Sequence, residues 1–333
     1  MIRIAQLVIV LALTLTTTFY SLAQRSDFQQ IDFSRADNMA LRFPNHSLKN
    51  IKVLADKLTQ GLTTDVEKFR ALYRWVCDNI AYDYALFEKN RRLRAKQENT
   101  ADDIARNKKF NAEVFRTLLE KHRTVCTGYA YLLRELCSHV GISCVIVDGY
   151  GRTANANIGG NGIPNHSWNA VQLHGKWYLS DPTWASGAVE SQFHLFIKNY
   201  DDAYFLSDPN VFIQNHYPLD PQWTLLKTNT VTLNEFLNRP IIYSNAYHYQ
   251  VDNPSPTRFN VAVRKGEEIS FQFDSRHDFS QAALMVDGKS IQHSFDKKGL
   301  RYSTVQAFNN KGVHVVHLMI DNKSVLTYRV SVK

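Results

Sequence analysis

Three side chains in the middle of the chain are of the types that together perform acyl transfer. Cys126 lies in R-T-V-C-T-G-Y-A, His166 in N-H-S-W-N-A-V and Asp181 in W-Y-L-S-D-P-T-W. A thiol is an effective nucleophile as its thiolate, and a neighbouring imidazole can take the proton. The imidazole needs a third group to hold its tautomer and orientation, which a carboxylate can provide. The residue types therefore predict a catalytic triad of Cys126, His166 and Asp181.

The pattern around Cys126 predicts that this residue opens a helix. Apolar residues recur after it at helical spacing, at Ala130, Leu133, Cys137 and Val140. Thr124 is a candidate N-cap, so we expect Cys126 in the first helical turn, where the partial positive charge of the helix end lowers the pKa of a thiol. His166 and Asp181 fall on two consecutive strand-like runs joined by a turn at residues 174–176. Adjacent antiparallel strands can bring both side chains to the start of the helix.

Each of the three residues also has an ordinary structural interpretation when it is taken alone. A cysteine in an apolar helix is usually a small buried hydrophobe, and His166 and Asp181 can be ordinary strand residues. Their joint order and context favour the triad. A zinc site formed by Cys126 and His166 is disfavoured, because the ligand-pair spacing C-x-x-C is absent. We therefore expect no metal site and no cofactor.

The three motifs resemble those of the transglutaminase-like superfamily, which belongs with the papain-like thiol enzymes. The matching marks are a Cys that opens a helix and precedes Gly-Tyr-Ala, a His followed by aromatic-Asn-x-Val, and Asp-x-Thr-Trp. Residues 65–84 and 204–223 resemble the kyphoscoliosis-peptidase-like branch and its bacterial secreted members. The resemblance implies that Cys126 is the nucleophile, His166 the general base and acid, and Asp181 the orienting carboxylate.

A helix followed by antiparallel strands indicates an α+β fold, and the resemblance implies a transglutaminase-like or papain-like core of helices packed on an antiparallel sheet. The chain of 333 residues is long enough for more than one domain. We place the catalytic domain at residues 48–230. A capping box of Thr64 and Glu67 predicts the start of one of its helices. Residues 24–47 before it are polar and are expected to form a loosely packed lead-in.

The hydrophobic period changes to two in the C-terminal part of the chain. Strand-like runs occupy residues 242–249, 260–263, 269–273, 282–286, 313–320 and 325–332. Turn signals such as Asp287-Gly288 and Asp321-Asn322 separate them. This pattern predicts an antiparallel β-sandwich of immunoglobulin-like size over residues 240–333, preceded by a linking helix at 232–238. Its role is either docking and substrate presentation or stabilisation of the catalytic domain.

Residues 1–23 are interpreted as a secretory signal. Arg3 gives a positive start, residues 7–15 are apolar, and Ala23 ends a stretch suited to cleavage. The alternative, an uncleaved anchor, is disfavoured because the apolar run is too short for a comfortable membrane span. We therefore expect a secreted or periplasmic protein with no stable membrane insertion after the signal is removed.

Two segments inside the catalytic domain have open interpretations. Residues 88–109 carry an excess of basic side chains: Lys89, Arg91, Arg92, Arg94, Lys96, Arg106, Lys108 and Lys109. This insertion is either a solvated face or a basic rim that favours an acidic substrate. The glycine-bearing loop at residues 151–164 is either a lid or a hairpin connection. Trp168, Trp177 and Trp184 flank the triad and either pack the core or wall the cleft.

The chain has 39 basic and 31 acidic residues, and these charges are dispersed. No nucleic-acid motif is present, so we expect no nucleic-acid partner. In an oxidising compartment with Cys126 kept free, the other cysteines are Cys77, Cys137 and Cys144. We expect buried free thiols, with a disulfide between Cys137 and Cys144 as the alternative.

Taken together, the sequence predicts an exported cysteine-dependent enzyme that cleaves peptide or carboxamide bonds, a peptidase or amidase. Its expected partner is a protein or peptide substrate, with a cell-envelope polymer as a further candidate. One alternative is transglutaminase-type cross-linking, in which an amine takes the acyl group. Another is a non-catalytic peptide-binding module of the same fold. The lack of a calcium-type acidic cluster and the flanking segments favour hydrolysis.

Overall fold

The computed structural model of the chain describes residues 25–94, 101–190, 192–228, 231–291 and 294–333. The signal predicted at residues 1–23 and part of the basic insertion lie outside this description. Within the described ranges, none of the helices combines the length and the apolar character needed to cross a membrane.

The N-terminal part of the chain is rich in helices. In chain order these helices are α1 (Ser34–Leu41), α2 (Ile51–Thr59), α3 (Asp65–Asn79), α4 (Tyr84–Arg94), α5 (Ala101–Lys121), α6 (Cys126–His139), α7 (Pro182–Ala185), α8 (Pro209–Phe212) and α9 (Leu233–Asn238). Helix α3 begins at the predicted capping box, in which the backbone N–H of Glu67 donates to Thr64 Oγ1 at 3.3 Å and the Thr64 N–H donates to Glu67 Oε2 at 3.1 Å. The predicted link helix is α9.

The strands of the same part form three small sheets. They are β1 (Ala81–Tyr82), β2 (Arg123–Thr124), β3 (Cys144–Gly151), β4 (His166–Leu173), β5 (Lys176–Ser180), β6 (Gly187–Glu190), β7 (Leu195–Lys198) and β8 (His216–Pro218). The largest sheet has the antiparallel order β5-β4-β3-β8. Helix α6 packs on it, and Leu132, Leu133 and Leu136 of this helix are fully buried. The predicted α+β core is therefore confirmed.

Helix α6 begins at Cys126, but the predicted N-cap at Thr124 is wrong. The N-cap position is Val125, which makes no side-chain capping bond. Thr124 instead belongs to β2, where it pairs with Tyr82 of β1. Its side chain packs against Gly128, and a Cβ at Gly128 would overlap Thr124 Oγ1 and lie 2.8 Å from its Cβ. The glycine of the C-T-G-Y motif thus lets the first turn of α6 approach β2.

The lead-in predicted to be loosely packed contains helix α1, which packs against α3. Ala36 and Ala40 of α1 are buried. Arg70 on α3, which is only 5% exposed, anchors this segment to α3. Its guanidinium makes a bidentate pair with Asp37 of α1, with Nε–Oδ1 and Nη2–Oδ2 distances of 2.6 and 2.9 Å, and a further ion pair with Asp202. The polar composition of the lead-in does not indicate this contact, because the buried partner, Arg70, lies on a different helix.

The C-terminal part forms two packed sheets, which confirms the predicted β-sandwich. Its elements are β9 (Ile241–Ile242), α10 (Ser244–His248), β10 (Asp252–Ser255), β11 (Asn260–Val263), β12 (Glu268–Asp274), β13 (Ala282–Val286), β14 (Lys289–Ile291), β15 (Asp296–Lys298), β16 (Arg301–Ala307), β17 (Gly312–Ile320) and β18 (Lys323–Val332). One sheet has the order β10-β12-β16-β15 and the other β11-β18-β17-β13-β14, with β9 added to β18.

The strand predicted at residues 242–249 is wrong. Only Ile241 and Ile242 pair as a strand, and residues 244–248 form helix α10. The side chain of Tyr247 turns toward the N-terminal part, where its ring lies 4.9 Å from that of Tyr204 and its hydroxyl contacts Asn215. Tertiary packing thus overrides the period of two. Buried apolar residues of both parts form one continuous cluster.

We expect Arg70→Met to lower the free energy of unfolding by about 2–3 kcal/mol. This is below the cost of breaking a fully buried pair, because the partner side chains Asp37 and Asp202 are 27% and 24% exposed. Urea denaturation measures the loss. Lys52→Met removes the surface pair with Asp56, whose side chains are 62% and 54% exposed, and should cost less than about 1 kcal/mol. Equal losses in the two variants would contradict a role for Arg70 in anchoring α1.

Candidate active site

The nucleophile candidate Cys126 lies at the first residue of α6 and is 7% exposed. Its Sγ lies 4.0 Å from the backbone oxygen of Asn165, the residue before His166. The Cys126 thiol also makes a side-chain hydrogen bond with the His166 imidazole. The structure therefore brings the predicted nucleophile and base into direct contact.

His166 is the first residue of β4 and is nearly buried. Its Nε2 lies 2.7 Å from Asp181 Oδ2. The ring stacks on Trp184, with centroids 4.9 Å apart and an interplanar angle of 25°. On the opposite strand, a Cβ at Gly151 would lie 2.9 Å from His166 Cβ, so the glycine leaves room for the imidazole. These contacts hold the ring between the thiol and the carboxylate.

Asp181 lies one residue beyond β5 and is the N-cap of α7. Its carboxylate is 0% exposed, and Oδ1 accepts the backbone N–H groups of Thr183 and Trp184 at 2.8 and 3.2 Å. The antiparallel pairing of β4 with β5 places it beside His166, as the sequence predicts. The backbone oxygen of Asp181 accepts a hydrogen bond from the Tyr73 hydroxyl at 3.0 Å, and this bond ties the backbone at Asp181 to α3.

The sequence analysis missed a second imidazole on the same carboxylate. His216, at the start of β8, places Nε2 3.0 Å from Asp181 Oδ2 and is fully buried. Its ring stacks on Phe212 with centroids 3.9 Å apart. The only available signal was the motif H-Y-P within residues 204–223, the segment that resembles the peptidase-like branch. Asp181 Oδ2 is thus shared by two histidines.

The electrostatics of this cluster shift the pKa values of the two histidines in opposite directions. Burial alone would lower the pKa of His166, but the Asp181 charge, its hydrogen bond and the Cys126 contact raise it to about 10. Burial lowers the pKa of His216 to about 4, although Asp181 opposes this. Burial would raise the pKa of Asp181, yet the charge and hydrogen bonds of the two imidazoles hold it well below its usual range. The arrangement therefore favours a protonated His166 and a neutral His216 around an ionised Asp181.

The same residues offer a possible metal donor set, since ligand atoms of His166, Asp181 and His216 lie within 4.8 Å of one another. Two imidazoles and a carboxylate are typical ligands of zinc. Here both Nε2 atoms lie at hydrogen-bond distance from one carboxylate oxygen. Hydrogen bonding accounts for the geometry, and we interpret the cluster as a proton-transfer unit.

Two cavities lie around the candidate site, and His166 lines the larger of them. The larger, of about 700 Å³, is lined by His166 and Trp184 together with residues of the link and sandwich, among them Ile242 and Ser324. The smaller, of about 410 Å³, is lined by Val125, Thr127, Ile163, Pro164 and side chains of α4 and α5. Trp184 therefore walls the cleft, while Trp168 is fully buried in the core.

Asn157 cross-links the glycine-bearing loop that precedes His166. Its side-chain amide donates to the backbone oxygens of Gly151 and Ile163, both at 3.0 Å, and its Oδ1 accepts the N–H of Ile163 at 2.9 Å. Thr153 and Ala156 form an isolated bridge. These bonds favour the interpretation as a hairpin connection.

We expect the His166 imidazole to titrate near pH 10 in ¹⁵N NMR, well above the ordinary value of about 6.5. In Asp181→Asn the neighbouring charge is lost, burial dominates, and the pKa of His166 should fall below the ordinary value. His216 serves as the internal control, because its pKa is lowered and it should remain neutral at pH 7. A wild-type His166 that titrates near 6.5 would rule out the proposed charge arrangement.

The hydrogen bond from His216 to Asp181 can be isolated with a double-mutant cycle. His216→Phe keeps a ring that can stack on Phe212 but removes the donor to the buried carboxylate, so we expect a loss of about 1.5–3 kcal/mol in unfolding free energy. In an Asp181→Asn background the same change should cost much less, because the charge is gone. Equal costs in the two backgrounds would show that His216 acts only through packing.

A family profile described as the transglutaminase-like superfamily matches residues 52–182, a range that includes Cys126, His166 and Asp181. Kyphoscoliosis peptidase of Homo sapiens is 35% identical over 197 residues, which cover 59% of this chain and 26% of that protein. The Mus musculus protein of the same name is 35% identical over 254 residues, covering 74% of this chain and 35% of its own length. A solved TGase structure aligns at 18% identity over 54% of this chain and 40% of that one, with a TM-score of 0.28. This chain spans about a quarter to a third of the two peptidase relatives, and it carries a domain of the transglutaminase-like superfamily.

Proposed function

We propose that this chain is a thiol-dependent acyl-transfer enzyme that hydrolyses peptide or carboxamide bonds. The observation that carries the proposal is the contact series from Cys126 through His166 to Asp181, in which His166 lines a cleft. The lowered pKa of the buried carboxylate and the raised pKa of the imidazole favour the charged form of each, and a thiol beside an imidazolium is favoured as its thiolate. A cluster that only stabilised the fold would not need a carboxylate, an imidazole of raised pKa and a thiol next to one another beside a cavity.

In the proposed reaction the Cys126 thiolate attacks the carbonyl carbon and forms a tetrahedral oxyanion. The His166 imidazolium gives its proton to the departing amine, the C–N bond breaks, and an acyl-thioester remains on Cys126. His166, now neutral, takes a proton from water, and the resulting hydroxide equivalent attacks the thioester. Collapse of this second intermediate releases the carboxylic acid and restores the thiolate–imidazolium pair.

The start of α6 supplies the electrostatic stabilisation for the oxyanion in this scheme. Its N-cap residue Val125 makes no side-chain capping bond, so the N-cap side chain does not occupy the first backbone N–H groups of the helix. Such preoriented N–H groups act on developing negative charge. The positive end of the helix also favours the thiolate of Cys126.

The choice of water as the acyl acceptor is supported by the relatives. The two proteins named kyphoscoliosis peptidase share 35% identity with this chain, although the chain spans only 26% and 35% of their lengths. We also propose export to the periplasm or the exterior, on the basis of the signal-like residues 1–23. A protein or peptide substrate fits both proposals.

The other cysteines are placed so that they do not compete with Cys126. Among the described residues, none of the four cysteines forms a disulfide. Burial raises the pKa of the Cys77 and Cys137 thiols well above the ordinary value. Neither therefore forms a thiolate readily at neutral pH.

We expect iodoacetamide to alkylate Cys126 at about pH 5–6, far below an ordinary thiol pKa, because the imidazolium stabilises the thiolate. Peptide mass spectrometry of the intact mature protein measures the rate at each cysteine. His166→Ala should move the reactivity of Cys126 to about pH 8.5. Cys77 provides the internal control and should stay unlabelled in the folded protein.

The reaction itself is tested with a peptide library derived from a proteome, incubated with wild-type protein and with Cys126→Ala. New termini that appear only with wild type support hydrolysis. A lysine-mimicking amine added to the same mixture distinguishes cross-linking, since its incorporation without new termini would replace hydrolysis by transamidation. An ordinary Cys126 reactivity together with no covalent product would leave the peptide-binding module as the function.

A further inference from the structure

The cleft beside His166 contains a buried arginine without an acidic partner. Arg152 follows β3 and is 2% exposed, yet it lines the cavity of about 700 Å³. Among the described residues, no aspartate or glutamate makes an ion pair with it. The contrast with Arg70 is direct, because that buried cation binds two carboxylates. Burying an arginine without a counter-ion is costly, and such costs concentrate at functional sites.

Backbone carbonyls only partly satisfy the Arg152 guanidinium. Its Nε donates to Asn157 O at 3.2 Å, its Nη1 to Pro240 O at 2.7 Å and its Nη2 to Arg239 O. A guanidinium carries five N–H donors, so these bonds leave two without an acceptor in the described part of the chain. Burial, with a further contribution from the Arg239 charge, lowers the pKa of Arg152 to about 9. The Arg152 guanidinium is therefore without a carboxylate counter-ion in the described part of the chain.

The rest of the cavity wall does not supply that charge. Asp201 is the acidic side chain of the lining, and its Oδ1 is already engaged by His248 Nε2 at 2.9 Å and by the N–H of Ala203 at 3.0 Å. The lining also includes Thr183, whose buried hydroxyl has no hydrogen-bond partner among the described residues. Arg152 and Thr183 thus both line this cavity and both keep unused hydrogen-bonding capacity.

We propose that Arg152 binds a carboxylate of the substrate, so that the enzyme prefers a peptide with an acidic group near the bond that it cleaves. This inference rests on the proposed hydrolysis at Cys126. A planar carboxylate matches the fork of a guanidinium, and the pair would be screened little in a buried position. The carboxylate belongs either to an Asp or Glu side chain or to a free C-terminus, and the two sources are separable.

A purely structural role gives a different expectation. Arg152 contacts the carbonyls of Arg239 and Pro240, just beyond the end of α9, and could simply hold the link between the two parts. In that case a substitution would affect acidic and neutral substrates equally. A binding role changes the ratio between them.

The test uses the peptide that the full-length enzyme cleaves best and derivatives that differ only in charge. In one pair Glu is compared with Gln at each position around the cleaved bond, and in the other a free C-terminus is compared with an amidated one. We expect wild type to favour the carboxylate form of one pair by about 10- to 100-fold in kcat/KM, with most of the difference in KM. The responding pair identifies the source of the carboxylate.

Arg152→Met should bring this ratio close to one, and Arg152→Lys should leave an intermediate ratio, since it keeps the charge without the fork. Lys227→Met is the matched control: it removes an exposed cation that lines a different cavity, and it should keep the wild-type preference. Circular dichroism and urea denaturation report the folding of each variant.

A wild-type enzyme that cleaves carboxylate and neutral peptides equally overturns the inference without any variant, so a misfolded Arg152→Met does not hide the answer. A ratio that falls equally in Arg152→Met and Lys227→Met would also overturn it, because the preference would then follow the total charge of the protein. Absence of any cleavage would instead contradict the proposed function, which keeps the two failures distinct.

Discussion

The burial of the Asp181 carboxylate is the constraint on which the site depends. A fully buried anion is tolerated only when its oxygens are hydrogen-bonded, and Asp181 receives four donors from four different residues. Two of these are the N–H groups that open α7, and the other two are the imidazoles that open β4 and β8. The Tyr73 hydroxyl of α3 fixes the adjoining carbonyl. Helices and sheet therefore converge on one charge, and that charge in turn sets the protonation of His166.

What the sequence predicts well here is what local chemistry determines. The capping box of Thr64 and Glu67, the helix beginning at Cys126 and the hairpin turn at Asp321-Asn322 all depend on neighbours in the chain. Pairing of consecutive strands then brings His166 to Asp181. His216 and Arg152 could not be assigned in this way, since their roles arise from contacts made after a long intervening segment. Residues 242–249 were mispredicted for the same reason, because the packing of Tyr247 decides their conformation.

The four cysteines lie in different electrostatic environments. Cys126 combines a helix start with an imidazole of raised pKa, whereas burial is the largest influence on Cys77 and Cys137 and raises the pKa of both thiols. Burial, and after it the neighbouring Cys144, raise the pKa of the Cys137 thiol. Local charge, and not the number of cysteines, therefore distinguishes Cys126 from the other thiols.

The C-terminal sandwich takes part in shaping the cleft. Ile242 and Ser324 line the same cavity as His166, and β9 joins the sheet of the sandwich through β18. The carbonyls of Arg239 and Pro240 hold the Arg152 guanidinium at the wall of that cavity. Contacts of the sandwich and of the link therefore form part of the cavity wall as well as part of the packing between the two parts. The cavity extends beyond residues 52–182, the range that the family profile matches, so its shape depends on elements outside that range.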